Sequence, residues 1–397
     1  MEMYIFALNL TCMEQINTID KISAVYRNTA EEARQELNKV QQKIYRIGSL
    51  RLLLFVAGVV GIIYFWSESW GILACIALIT LLPFLFLMKY HNRLFHRKDY
   101  LEKKMEINEQ ELAALDYDTS SFDDGPTHLY TYDLDVFGPH SLFQYINRTC
   151  TQPGKHRLAH WLGKHLERKE EIIRRQEAVS ELAPELKFRQ RFRILGLLYK
   201  GKAADETELC QWAESPSIFR SRKLLRLLPV LVTGANLICL ALVMAGILSA
   251  SIYGIIWTCF VIAGFGFTGK VTKMQAIYGK KLQILSTYAA LLHLMEKQPA
   301  QATLLKEIRQ QIDGEKRKAS HSISRLNKLM DELDQRNNVF MYVILNGLFF
   351  WELRQIMRIE AWKEQYAAEL PGWLDAIGQM DALNSLATFA YNHPDYI

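Results

Sequence analysis

Residues 227–269 contain not one Asp, Glu, Lys or Arg. A single helix of that length would be roughly 64 Å long at about 1.5 Å per residue, twice the thickness of a bilayer's hydrocarbon core. The run must therefore fold back on itself, and Ser249-Ala250-Ser251 is the expected turn. The alternative is a pair of buried core helices. Core helices of soluble domains keep a polar face, and these do not. Residues 52–66 and 70–88 are likewise uncharged and are separated by Ser67-Glu68-Ser69. A span needs roughly 17–25 apolar residues. The first run reaches that length only with its flanks, where Arg51 can snorkel to the interface. The chain is thus expected to carry two transmembrane helical hairpins.

The flanks set the orientation. Lys39, Lys43, Arg46 and Arg51 precede the first hairpin, and Lys89, Arg93, Arg97 and Lys98 follow it. Arg220, Arg222, Lys223 and Arg226 precede the second, and Lys270, Lys273, Lys280 and Lys281 follow it. Neither short turn holds a Lys or Arg. Positive charge stays on the cytoplasmic side, so both turns are expected outside and all other segments in the cytoplasm. The expected location is the cytoplasmic (inner) membrane, multi-pass.

Composition adds exclusions. The net charge of +5 over 397 residues is too small to imply nucleic-acid binding by itself. The six cysteines form no C-x-x-C pair, and Cys75, Cys239 and Cys259 sit in apolar runs. Reduced thiols are expected, not a disulfide framework or a zinc site.

The remaining segments have helical periodicity. Ile16, Ile19, Ile22, Tyr26, Ala30, Ala33, Leu37, Val40 and Ile44 recur at spacings of three and four. Tyr90, Leu94, Leu101, Met105 and Leu112 do so more loosely. Both helices leave the same hairpin on the same side, so an antiparallel coil is expected. A third helix is expected to continue out of the membrane from Lys270, with Val271, Met274, Tyr278, Leu282, Leu285, Tyr288, Leu292 and Met295 as its stripe and Pro299 as its end. Residues 116–127 have the composition of a linker, and 128–136 approaches strand alternation. The apolar run 339–351 is too short to span; a buried core helix is the preferred reading, an interfacial helix the second. A long helix follows until Pro371-Gly372, and a last one runs to about Tyr391. Four regions result: 1–115 with a hairpin at about 50–88, 116–222, the second hairpin at 223–269, and 270–397.

Two separated stretches carry a family resemblance. The run DLDVFGPHSLFQYINRTCTQPGKHRLAHWL (133–162) is followed by IIRRQEAVSEL (172–182). The tail supplies WELRQIMRIEAWKEQY (351–366) and WLDAIGQMDALNSLATFAYNHPDY (373–396). The first pair resembles the core domain of the MutS mismatch-repair family, through Ser141, Leu142, Ile146, Asn147 and Thr149, then Thr151, Gly154, Lys155, Arg157, Leu158, Trp161 and Leu162, then Ile172, Arg175, Gln176, Ala178, Val179 and Leu182. His156 stands where the family commonly has a basic residue. The tail resembles a membrane-bearing MutS-like subgroup. The resemblance covers about 116–222 and 270–397. It implies a mainly α fold: a MutS core/lever-like helical domain with two transmembrane hairpins and long helices leaving the membrane.

Read physically, that motif is mostly structural. Thr151 can cap a helix with Pro153 in its first turn, and Leu158, Trp161 and Leu162 form its apolar face. The candidate residues are Thr151, Gly154, Lys155, Arg157, Trp161, Arg175 and Gln176. Arg175 and Gln176 have the reach for DNA, with helix packing the preferred role.

The departures from the family pattern shape the functional expectation. Membrane helices stand where the family has its mismatch-reading domain with a Phe-x-Glu wedge, and a hairpin stands where it has its DNA clamp. The resemblance places the ATPase domain beyond Ile397 or on another chain. The string GFGFTGKV (264–271) fits G-x-x-x-x-G-K but lacks the Ser or Thr that would meet Mg²⁺. It lies at the end of a membrane helix, where small residues serve packing. His156 and His160 share a helix face with no carboxylate pair nearby, so a metal site is not expected. No catalytic residue, cofactor or metal is assigned within the chain, and ATP and Mg²⁺ are expected only for the ATPase domain.

The leading expectation is a membrane-anchored core and lever of an ATP-dependent system of the mismatch-repair family. Its expected partners are the lipid bilayer, a second copy in a homodimer, and an ATPase domain in cis or trans. DNA binding is possible for such a family member but is not supported by the modules present. The alternative is a membrane scaffold that works by helix-mediated partner binding, without ATPase or mismatch recognition. A small transporter or sensor fits worse, since no span holds a charged residue and Asn236 is the one strongly polar side chain there.

Overall fold

The computed structural model describes residues 2–67, 69–126, 134–164, 166–198, 203–278, 282–314, 318–334 and 339–395. Among them the chain is helical and contains no strand. Of the segment expected as strand, 128–136, residues 128–133 lie outside the described residues, and 134–136 is turn and bend. The chain divides into two compact units. One comprises residues 1–147, 189–198 and 386–397; the other comprises 148–188 and 199–385.

The first unit is built on two long helices, α1 (Glu2–Tyr64) and α2 (Trp70–Leu115). They run antiparallel. Glu36 meets Arg97 at 2.7 Å, the Arg51 guanidinium lies over the Phe84 ring at 5.3 Å, and a Cβ on Gly58 would touch Thr80 at 3.1 Å. Gly61 lies as close to Ile76. These two glycines let the helix axes approach within the apolar part of the pair. Farther along, Ala33, Leu37 and Leu101 form a small core with Val40, Tyr100 and Met105 packed on it. The seam expected from periodicity is therefore the observed one. Ile22, Tyr26, Ala30, Ala33 and Leu37 are buried, although Ile19 near its start is exposed, and the side chain of Ile16 lies outside the described residues. The short helix α3 (Leu142–Ile146) is capped by Ser141, whose hydroxyl accepts from the Gln144 amide.

The second unit contains α4 (Gln152–Gly163), α5 (Lys169–Leu182) and α7 (Ala203–Glu214). Helix α6 (Leu186–Leu198) begins in this unit and ends in the first. The unit continues with α8 (Lys223–Met244), α9 (Ala250–Tyr278), α10 (Leu282–Lys297), α11 (Thr303–Ile312), α12 (Ala319–Asp334), α13 (Val339–Phe349) and α14 (Trp351–Tyr366). Helix α15 (Leu370–Asn392) begins here and ends in the first unit. Pro371 sits in the first turn of α15, where its missing N–H costs nothing. Of the stripe expected after the second hairpin, Val271, Leu285, Tyr288, Leu292 and Met295 are buried, as are Ile323, Leu326 and Met330 of α12, and the side chains of Met274, Tyr278 and Leu282 lie outside the described residues.

Among the described residues, four helices are long and apolar enough to cross a membrane: residues 18–64, 70–115, 224–244 and 250–269. Their apolar side chains point outward. Trp70 is 87% exposed and Phe86 72%, while Ile238 and Ile262 are 63% and 65% exposed. Exposed apolar surface on this scale marks a membrane or protein interaction surface. Between α8 and α9 the helix ends at Ala245, Gly246 takes a positive φ of 69°, and the chain re-enters helix at Ala250. The reversal falls within a few residues of the expected Ser249-Ala250-Ser251.

Candidate functional site

In the second unit the family-like motif forms a buried clamp between α4 and α15. The Thr151 hydroxyl accepts from the Gly154 amide at 3.1 Å and so caps α4. It also donates to Asp381 Oδ2 at 2.7 Å. The same carboxylate accepts the Thr151 amide at 2.8 Å and the Cys150 amide at 3.0 Å. Ser385, one turn on, accepts the Arg148 amide at 2.7 Å. Asp381 is only 1% exposed, and burial pushes its carboxyl up to about 6 against the opposing pull of the bonds from Thr151 and Cys150.

The clamp explains its glycines. A Cβ on Gly154 would collide with the Asp381 carboxylate, and one on Gly378 would meet Pro153 Cβ at 2.8 Å. Each helix thus offers a glycine where the other presses closest. At the rim Arg157 forms an ion pair with Asp375, half exposed on both sides. The Arg175 guanidinium stacks on the Trp161 ring at 4.0 Å, tying α5 to α4. Burial lowers the Arg175 pKa; Glu171 opposes that shift and Arg157 adds to it.

Of the residues singled out in the sequence, Thr151 and Gly154 meet in the clamp, Arg157 borders it, and Trp161 pairs with Arg175. Gln176 is exposed, and Lys155 is half-buried on α4. The sequence reading missed Asp375, Gly378, Asp381 and Ser385. Their signal was a pair of acids in the otherwise small and apolar run of α15.

A second constellation holds the segment that enters the second apolar pair. Glu360 of α14, 1% exposed, accepts three consecutive backbone amides, from Ile218 at 2.8 Å, Phe219 at 3.1 Å and Arg220 at 2.6 Å. One turn on, Lys363 donates to the Ser215 carbonyl and hydroxyl at 2.8 and 2.6 Å, and Glu364 accepts from Arg220 Nε at 2.7 Å. Burial lowers the Lys363 pKa, opposed by the neighbouring Glu360. Trp362, beside these residues, stacks on Trp212 and donates to the Ser322 carbonyl at 2.7 Å. One face of α14 therefore grips the linker from α7 to α8 at Ser215 and at residues 218–220.

A third constellation lies in the first unit. Asn392, at the end of α15, accepts from the Tyr26 hydroxyl at 2.7 Å and donates to Glu111 at 3.0 Å. Arg193 of α6 donates to Glu111 at 2.5 Å and to Gln110 at 2.8 Å. Arg189 donates to Thr388 at 2.6 Å and lies over the Tyr391 ring at 5.0 Å. These bonds tie the α1–α2 stalk to the ends of α6 and α15. Such a paired, buried network costs several kcal/mol to break by removing one partner.

The string 264–271 is continuous helix within α9. Its amides point along the helix and cannot converge on a phosphate as those of a phosphate-binding loop do. Among the described residues no group of three His, Cys, Asp or Glu side chains could hold a metal ion.

The family model of MutS domain III matches residues 119–387. No curated protein and no solved structure matches the chain. The matched stretch begins in the first unit, contains α3 to α14, and ends within α15. It therefore includes the buried clamp, the grip of α14 and the second apolar pair. This chain belongs to the MutS domain III family, the core region of MutS-like proteins of the mismatch-repair family.

Proposed function

We propose that this chain is the membrane-anchored core and lever of a MutS-like system, and that its motion is driven by an ATPase domain supplied in cis beyond residue 397 or in trans by another chain. The observation that carries the reading is the grip of α14 on residues 215–220. A core helix that holds three successive amides at the foot of an apolar helix pair transmits displacement to that pair. The bilayer is the anchor, with both turns outside and the helical units in the cytoplasm. Supporting this reading are the four outward-facing apolar helices and the basic residues that flank them. The clamp around Asp381 is the structural centre of the core, and Arg157 and Arg175 serve helix packing. Homodimerisation follows from family resemblance, because MutS ATPase sites are shared between subunits.

Sequencing the DNA downstream of codon 397 and the neighbouring genes tests the ATPase part of the proposal. A Walker motif with its Ser or Thr, in frame or in an adjacent gene, is the expected result. The absence of both would favour a scaffold that works without nucleotide. The isolated chain is expected to show no saturable ATP binding. Binding that disappears in Lys270→Ala would contradict this and make 264–271 a nucleotide site.

A further inference from the structure

Helix α13 is apolar, and at 11 residues it is half the length a span requires. It packs against α8 and α9, and its contacts follow a consistent order along α9. Near its start, the Tyr342 ring lies 5.2 Å from Phe265 and its hydroxyl bonds Thr268 at 2.5 Å. Farther on, Asn346 faces Gly264, and Gly347 lies so close to Trp257 and Val261 that a Cβ there would collide with both. The chain then reverses. Phe350 adopts a left-handed φ of 48°, its ring pairs with Phe267 at 6.2 Å, and the Glu352 carboxylate returns to Thr268 at 3.0 Å. Entry and exit therefore meet the same turns of α9, and the tip reaches two to three turns deeper.

We propose that α13 and the reversal at Phe350 form a re-entrant membrane element, a half-length helix that enters the bilayer beside α8 and α9 and returns as α14. The inference rests on α8 and α9 crossing a bilayer. Two independent distances place the tip near mid-depth. Asn236, which bonds the end of α13, lies about 18 Å along α8 from Leu224 at roughly 1.5 Å per residue. Trp257 and Val261 lie about 10 and 16 Å along α9 from its other end at Ala250, by the same rise. A hydrocarbon core is about 30 Å thick.

The hydrogen bonds are those a bilayer would require. Irregular backbone survives at that depth only when its polar groups are satisfied inside the protein. Asn236 donates to the Gly347 and Leu348 carbonyls at 3.0 and 3.2 Å, which are among the groups a helix end leaves orphaned. Its own carbonyl accepts the Tyr253 hydroxyl at 3.3 Å. Asn346 Oδ1 accepts the Glu352 amide at 2.9 Å, an orphan donor at the start of α14. This gives a role to Asn236, the polar side chain that otherwise has no reason to lie in a spanning helix. The outer face of α13 is the apolar set Val343, Ile344 and Leu348, and Ile344 is 47% exposed. That face is continuous with the apolar surfaces of α8 and α9, and its partner is lipid acyl chain.

The test uses the full chain in phospholipid vesicles with the native cysteines replaced. A fluorophore is attached at Ile344→Cys or, independently, at Val343→Cys. Quenching is compared between nitroxides on the lipid acyl chains and a water-soluble quencher. Ile262→Cys on α9 and Ser324→Cys on α12 serve as lipid and water references. The proposal expects the probe at 344 to follow the one at 262, with acyl-chain quenching several-fold above that at 324. It also expects mid-chain nitroxides to quench more strongly than headgroup nitroxides. A probe at 343 and 344 that behaves like 324 while 262 remains lipid-quenched would overturn the re-entrant element and leave the membrane anchor standing. If 262 itself were quenched from water, the anchor would fall and the inference with it.

Discussion

At the residue scale the clamp around Asp381 makes the sharpest demands. The carboxyl is raised from an ordinary value of 3.8 to about 6. The fold therefore favours the protonated form. Its contribution is fully present below about 3.8 and is lost as pH rises through about 6. At roughly 1.4 kcal/mol per pKa unit, the loss is on the order of 3 kcal/mol. Thermal melts of the purified chain should fall between pH 5 and pH 7.5, and this slope should be reduced in Asp381→Asn. Equal slopes in the two proteins would remove Asp381 as its source. Gly154→Ala adds a methyl group against a carboxylate held by both Cys150 and Thr151. Overpacking of this kind costs about 1–3 kcal/mol, so a clearly lowered melting temperature is expected, and an unchanged one would mean that α15 can shift away. None of this was visible as a site in the sequence. Thr151 and Gly154 stood out as a cap, but their partner lies 230 residues away. An acid at a helical position looks like a surface residue until the fold shows what packs over it.

At the scale of elements, periodicity and charge segregation carried most of the information. The α1–α2 seam and the apolar pairs were legible because a three-and-four spacing and a missing charge are local properties. The turn at 245–249 was legible because the uncharged run is too long for one span. Helix α13 was less so. Its apolar run suggested a core helix, and only its packing against α8 and α9, with a left-handed Phe350 beyond it, gives the short length a meaning. Glu360 was equally silent, since its partners are backbone amides about 140 residues earlier in the chain. Glu360→Ala removes the acceptor of three successive amides, of which that of Phe219 is buried. An unsatisfied buried donor costs about 1–3 kcal/mol, so amide exchange at 218–220 should accelerate strongly. Glu360→Gln keeps one acceptor oxygen and should fall between the two. Unchanged exchange in Glu360→Ala would show that α14 does not hold the entry to α8.

At the scale of the molecule, membership of the MutS domain III family fixes the ancestry of the core. The activity depends on what that core is joined to. The described residues hold two apolar helix pairs with basic flanks. Such flanks favour anionic lipid by about 1 kcal/mol per residue near the surface, and any DNA affinity they confer should fall steeply with salt. The ratio of mismatched to matched duplex binding should stay near one at physiological salt. A preference for the mismatch that persists as salt rises would assign DNA contacts to Arg157, Arg175 or their neighbours.

The central claim is that core and lever hang from a bilayer by two hairpins with their turns outside. Single cysteines in intact cells, on a background without native cysteines, test it most directly. Ser69→Cys and Ser249→Cys lie at the two turns, and Glu109→Cys and Ser324→Cys lie on exposed faces of the helical units. The account predicts that an impermeant thiol reagent labels the first two in intact cells and the second two only after the membrane is opened. Labelling of position 324 in intact cells, or protection of both turns until lysis, would contradict it.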